Sequence, residues 1–307
     1  MRLFSFISIP MGWVLKQISV IFNGNFAWAV LVFTVLVNAL LIPLSIKSQK
    51  ASVQQARIKP KMDALKKKYA SDPKRYNQEV QKLYAEEKVS MSGGCLPLII
   101  RLALMMGVYY AIYSPLQYVL NVPTDAINQA IEAAKNASIT LAPGREQIEL
   151  IGLIQKGNEM LGNIISPEMV NSVNFNFFGI DLTEVPKFGL SLSAIELNWI
   201  IPFAAFAAAM LSSIISLAMQ KKANPDAPNM AIMMLSMPII SLVIAFSMPC
   251  AVGFYWACYS LISGLIQAGV QKWYGPNVLI AKAQINETFE RFEKENKKLK
   301  KSAHIEE

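Results

Sequence analysis

The chain has 307 residues, of which 53% are hydrophobic and only 16% charged, with a formal net charge of +8. That is too apolar for a water-soluble globular protein and far too apolar for a disordered one. The composition is that of an integral membrane protein, and the charge bias points to anionic surfaces such as lipid headgroups or ribosomal RNA on one side.

The first 22 residues, MRLFSFISIPMGWVLKQISVIF, form an apolar stretch interrupted by Pro10, Gly12, Lys16 and Gln17. A secretory leader is one reading. No small-residue cleavage motif follows and no cysteine lies close enough to accept a lipid, which favours an uncleaved helix lying in the outer interface. Apolar runs near the ~20 residues needed to cross a ~30 Å hydrocarbon core then occur at 27–46, 95–114, 197–219, 230–247 and 250–270. This predicts an all-α protein with five transmembrane helices. The last two are separated only by SMPC, where Pro249 forces a break and a tight antiparallel hairpin.

Residues 47–94 carry 12 Lys+Arg against 5 Asp+Glu. Helix formers run from Ser52 to Tyr69 and from Pro73 to Val89, joined by ASDPKR with Asp72 as cap and Pro73 at the first helical position. The spacing predicts a helical hairpin between spans one and two. Val53, Ala56, Met62 and Leu65 would face Tyr76, Val80, Leu83 and Tyr84, with Pro60 bending the first arm. A plain solvated connector is the alternative, although two neighbouring spans need far fewer residues to join them.

Residues 115–196 are acidic, with 4 Lys+Arg against 9 Asp+Glu, and include helix-like stretches such as DAINQAIEAAKNAS. Residues 220–228 carry 2 against 1, and the chain from 271 onward carries 8 against 6. Positive charge is retained on the cytoplasmic side, so the N-terminus is expected outside and the C-terminus in the cytoplasm. The membrane core then extends over 1–275, and a polar tail over 276–307. The tail, ending RFEKENKKLKKSAHIEE, reads either as a solvated helix of mixed charge or as a ribosome contact.

Polar residues inside the spans are few. In the first, Thr34, Asn38 and Ser45 fall within about 40° of one another at 100° per residue and form one polar stripe. Ser260, Ser263 and Gln267 make a similar stripe on the last span, and Ser212, Ser213 and Ser216 one on the third. Arg101 lies inside the second span, roughly 9 Å deep, against roughly 12 Å for Asn38 at 1.5 Å per residue. A cation there costs from about 3 to above 10 kcal/mol, depending on how far water follows it. No Asp or Glu lies within the five spans, so the natural counter-ion is a visiting anion. Snorkelling of the side chain to cytosolic headgroups is the competing reading.

Cys95, Cys250 and Cys258 show no metal spacing and read as free thiols. The lone histidine, His304, is in the tail, no glycine-rich phosphate loop is visible, and no Asp pair or HExxH lies within the spans. The sequence therefore predicts no enzyme activity, no catalytic residue, no metal and no cofactor.

The order of parts resembles that of the YidC family of membrane protein insertases. The resemblance rests on EKVSMSGGCLPLII leading into the second span, FFGIDLTEVP before the third, MPIISLVIAFSMPCAVGFYW through the fourth into the fifth, and IQAGVQKW leaving it. It covers about residues 20 to 275, in the short, Gram-positive-type form that lacks a large extracytoplasmic domain. The family's pattern places an arginine where this chain has Asn38, and a glutamine where it has Arg101. The charge has crossed to the facing helix.

The resemblance implies an insertase of the bacterial plasma membrane with a hydrated groove open to the cytosol and to lipid. Arg101, Asn38, Thr34, Ser45, Gln267, Ser263 and Ser216 are its candidate lining residues. The implied partners are nascent membrane proteins and the bilayer, with the ribosome and the Sec translocon as further candidates, no DNA, and a functional monomer. A secondary transporter of an anionic solute is the alternative, weakened by the absence of a detectable inverted repeat.

Overall fold

The computed structural model describes residues 5–87, 89, 96–186, 196–223 and 231–275, with positions 278, 281, 285, 288, 289 and 291–296 of the tail. Its helices in chain order are α1 (Ser5–Ile21), α2 (Phe26–Leu40), α3 (Ile42–Lys68), α4 (Pro73–Glu86), α5 (Leu96–Tyr113), α6 (Pro115–Tyr118) and α7 (Thr124–Asn136). They continue as α8 (Glu146–Gln155), α9 (Glu159–Gly162), α10 (Pro167–Asn171), α11 (Ile200–Ala223), α12 (Ala231–Ala245) and α13 (Cys250–Tyr274). A single hairpin of two-residue strands, β1 (Asn176–Phe177) and β2 (Ile180–Asp181), interrupts the helical order among the described residues. The chain divides into two compact units. The first comprises Met1–Leu41, Ile99–Ala218 and Ala227–Ile266, and the second Ile42–Leu98, Met219–Asp226 and Gln267–Glu307.

In the first unit, α1 and α2 are joined by a tight turn in which Asn23 and Gly24 adopt φ of 52° and 80°. A side chain on Gly24 would begin 2.6 Å from the Ser172 carbonyl oxygen, so the turn needs glycine for space as well as for conformation. Asn25 caps α2 by accepting the Trp28 N–H at 3.2 Å. The expected N-terminal helix is present, and it is two-faced. Ser8, Met11, Leu15, Ile18 and Ser19 are buried, while Phe6, Ile9, Trp13, Val20 and Ile21 are exposed. Its buried side is fitted by glycines: Gly107 of α5 faces Ile7 and Met11, and Gly12 lies directly under the Tyr118 carbonyl of α6.

The acidic segment folds as an apolar core wrapped in charge. Ile127, Ala130, Ile148, Ile151, Leu161 and Val170 are buried within it, each of the larger ones contributing about 1.5–3 kcal/mol. Its far end binds the starts of two apolar helices. Asn174 donates to the Gly24 carbonyl (2.8 Å) and accepts the Phe26 N–H (3.0 Å), while the Phe26 and Phe175 rings lie 4.7 Å apart. The Glu184 and Leu182 carbonyls accept the Cys250 and Ala251 N–H groups, each at 2.8 Å. Those amides open α13 and have no partner within the helix.

Helices α11 and α13 pack through small residues. Gly253 meets Ile201, Ala257 clusters with Ala205 and Ala208, and Gly264 meets Ser212. Two apolar helices gain no hydrophobic energy from each other in lipid, so close approach over small side chains is what holds them. The paired positions advance together along both helices, which therefore run parallel.

The second unit contains the expected hairpin. Asp72 accepts the Arg75 N–H at 3.0 Å and Pro73 opens α4, as the sequence predicts. Ile58, Val80, Leu83 and Val89 are buried, Lys61 pairs with Glu87, and Arg75 lies 5.6 Å over the Tyr69 ring. Val53 and Ala56, expected in this interface, have side chains outside the described residues. The first arm runs on through Pro60 and begins at Ile42, well before the expected Ser52.

That early start puts a bend of 44° in the expected first span. Residues 27–46 are not one helix, because α2 ends at Leu40 and α3 begins at Ile42. Pro43 has no N–H to donate to the preceding turn, so the ladder fails there. Two helices, Leu197–Met219 and Cys250–Tyr274, are long and apolar enough to cross a membrane alone, and Phe26–Leu40 with Ile42–Ala51 passes only as a bent pair. Among the described residues, Phe6–Ile21, Leu102–Tyr113 and Ala231–Ala245 are shorter apolar helices.

Two glycine substitutions should separate packing from helix propensity. In Gly12→Ala the new methyl would begin 2.2 Å from the Tyr118 carbonyl oxygen, and overpacking should cost about 1–3 kcal/mol. In Gly269→Ala it meets only the Trp273 ring at 3.6 Å, and the gain in propensity should be about 0.5–1 kcal/mol. Thermal unfolding in detergent should thus move in opposite directions for the two variants.

Candidate functional site

Hydrocarbon makes an unsatisfied polar group expensive, so a polar side chain on an apolar helix must find a partner. On α2 the partners come from the helix itself. Thr34 donates its hydroxyl to the Val30 carbonyl at 2.6 Å, and Asn38 donates Nδ2 to the Thr34 carbonyl at 2.9 Å. Both residues are buried, at 1% and 3% exposure, whereas Val35, Leu36 and Leu40 on the same helix are exposed. The polar face is turned into the protein. Side chains that bond to carbonyls four residues back loosen a helix, and this ladder ends at Leu41, whose N–H reaches Val37 and Asn38 carbonyls at 3.1 and 3.2 Å.

The break at Leu41 also changes the status of Ser45. Its alignment with Thr34 and Asn38 assumed one unbroken helix, and Ser45 instead lies half-buried on α3, in the second unit. Arg101 is the sixth residue of α5, as the sequence predicts, and its side chain is outside the described residues, as is Cys95. The next residue, Leu102, is exposed.

On α11 and α13 the serines occupy an intermediate environment. Ser212, Ser213, Ser216, Ser260 and Ser263 are all half-buried, and Ser263 donates to the Ser260 carbonyl at 3.5 Å. The contact of Ser212 with Gly264 brings these two stripes together. Gln267, half-buried, belongs to the part of α13 in the second unit.

A second polar group was not anticipated from the sequence. Glu184 accepts from Lys156 Nζ at 3.0 Å through one oxygen and from Asn198 Nδ2 at 3.1 Å through the other, while its backbone carbonyl caps α13. The bond to Glu184 holds the Lys156 ammonium above the usual lysine range. Arg145 lies 3.8 Å from Glu149 and donates to the Ser247 carbonyl at 3.5 Å. Arg145, Glu149, Lys156 and Glu184 border a cavity of about 500 Å³ that also includes Glu196 and Thr183. The only available signal was the run DLTEVP, whose carboxylate and proline precede the third apolar stretch. Opposite charges compensate one another here, and among the described residues no cluster is suited to a metal ion.

Residues 17–277 match the family model of the 60Kd inner membrane protein. Over 111 residues, 36% of this chain, it is 36% identical to the membrane protein insertase YidC of Burkholderia ambifaria (strain MC40-6). It is 35% identical over the same length to those of Paraburkholderia phymatum and Burkholderia cenocepacia (strain HI2424). The matched region spans about a fifth of the length of each of these relatives. With the apolar helices described above, the family match makes this a multi-pass protein of the cell membrane. The chain belongs to the 60Kd inner membrane protein family, that of the YidC insertases.

Proposed function

We propose that the protein is a membrane protein insertase that moves short polar segments of nascent chains across the bilayer and releases their helices to lipid. The observation that carries this reading is the inward, buried polar face of α2, at Thr34 and Asn38, in an otherwise apolar helix. A lipid-facing helix has no use for it. Together with Arg101 on α5, and with Ser216 and Ser263, it would line a hydrated groove open to the cytosol.

Five spans remain the best topology for this reading. Since α11 and α13 run parallel, a return crossing is expected between them, and α12 would supply it. The charge bias of the loops puts the N-terminus outside and the C-terminus in the cytoplasm. The basic α3–α4 hairpin and the tail would then face the cytosol, where ribosome and translocon approach. The acidic segment would lie outside.

The driving force is partition. A 20-residue apolar helix gains several kcal/mol on entering lipid, which outweighs moving a short polar tail across a locally thinned bilayer. Each acidic residue moved outward gains a further ~2.3 kcal/mol per 100 mV of negative-inside potential. Arg101 would hold that acidic segment in passing. A permanent carboxylate partner would defeat this, and the sequence places none in the five apolar runs.

Complementation of an insertase-depleted bacterium tests the role of the charge. Native protein, Arg101→Lys and the exchange Asn38→Arg with Arg101→Gln should restore growth, and Arg101→Ala should not. Growth with Arg101→Ala at matched protein level would refute the groove mechanism. The topology has its own test: an impermeant thiol reagent should reach a cysteine at Ser247 from outside and one at Lys221 only from the cytoplasm.

A further inference from the structure

The hairpin β1–β2 carries an anomaly that the insertase reading does not use. Its two-residue turn is Phe178–Gly179, with φ of 50° and 83°. Both central residues of a turn of this kind lie in the left-handed region, where Asn–Gly is the ordinary choice. Gly179 fits it. Phe178 is a bulky residue in a conformation that strongly disfavours one, and it is nonetheless 81% exposed. Backbone strain and exposed aromatic surface coincide in one side chain that contributes little to the protein's own core.

The surroundings of the tip are equally apolar. The Phe178 ring lies 4.6 Å from Phe177, which in turn touches Phe254 (5.1 Å) and Trp28 (6.1 Å), and Trp28 stacks on Phe22 at 6.4 Å. Trp28 and Phe22 are themselves exposed. On the other side, a side chain on Gly179 would come into van der Waals contact with Leu197, where the α11 span begins. Leu197, Ile200, Phe203, Leu211 and Ile214 continue down α11 as one exposed apolar face. The run from Asn176 to Ile180 bears no charge. The hairpin tip is therefore continuous with the lipid-facing surface of a spanning helix, at the level where that helix starts and where interfacial aromatics are favoured.

We propose that the 176–181 hairpin inserts Phe178 into the lipid leaflet at the N-terminal ends of α11 and α13, anchoring the acidic segment to the bilayer surface. The occupant is lipid because the patch runs without interruption into the α11 face. Anchoring would hold fixed the segment whose Leu182 and Glu184 carbonyls cap α13.

A spin label at Phe178→Cys, in a background free of native cysteines, tests this in phosphatidylglycerol–phosphatidylcholine vesicles. Collisions with oxygen should exceed those with a water-soluble nickel chelate, as for a label at Phe203, with the reverse at Asn136 on the exposed end of α7. A label at 178 that behaves like the one at 136 overturns the proposal, and so does one shielded from both reagents, which would mean a protein partner. Phe178→Trp keeps the ring should the cysteine variant misfold. Its added emission should be quenched by lipids brominated near the headgroup; quenching by aqueous iodide instead also overturns the proposal.

Discussion

Everything in this protein follows from one constraint, that a polar group placed in hydrocarbon must be satisfied without bulk water. On α2 the constraint is met twice over on one face, where Thr34 and Asn38 bond to carbonyls of their own helix. That leaves the helix locally loosened just before Leu41, where Pro43 ends the ladder. An apolar span needs neither feature. Polarity and a weakened helix at the same depth make sense if this end of α2 borders a site that accommodates passing polar chain.

The acidic segment makes such a site affordable to the rest of the fold. Helices held together in lipid by small residues, as α11 and α13 are at Gly253 and Gly264, have little to fix their ends. The segment supplies the ends. It carries a conventional apolar core, and from that base it binds the start of α2 through Asn174 and the start of α13 through Leu182 and Glu184. The Glu184 carboxylate, held by Lys156 and Asn198, orients the loop whose carbonyls do the capping.

Much of this was legible in the sequence because the signals are local. The cap at Asp72, the break at Pro249, the apolar runs and the helix at Thr124–Asn136 each rest on a few adjacent residues. Arg101 announced itself as a charge in an apolar run. The break at Leu41 was missed because hydropathy does not register a proline's missing N–H when both flanks are apolar, and Ser45 was grouped with Asn38 for that reason. The Glu184 clamp was beyond local reasoning. Its partners Lys156, Asn198 and Cys250 are 28, 14 and 66 residues away, and only the fold brings them together.

The central claim is that Arg101 faces water reached from the cytosol, and labelling rates test it directly. With native cysteines replaced, Arg101→Cys and Leu102→Cys would be exposed in cytosol-side-out vesicles to an impermeant maleimide, with Lys74→Cys on the hairpin as the aqueous reference. A rate for position 101 near that of position 74, and far above that of its exposed neighbour 102, is the predicted result. Equal slow rates at 101 and 102 would place the arginine against lipid and contradict the groove.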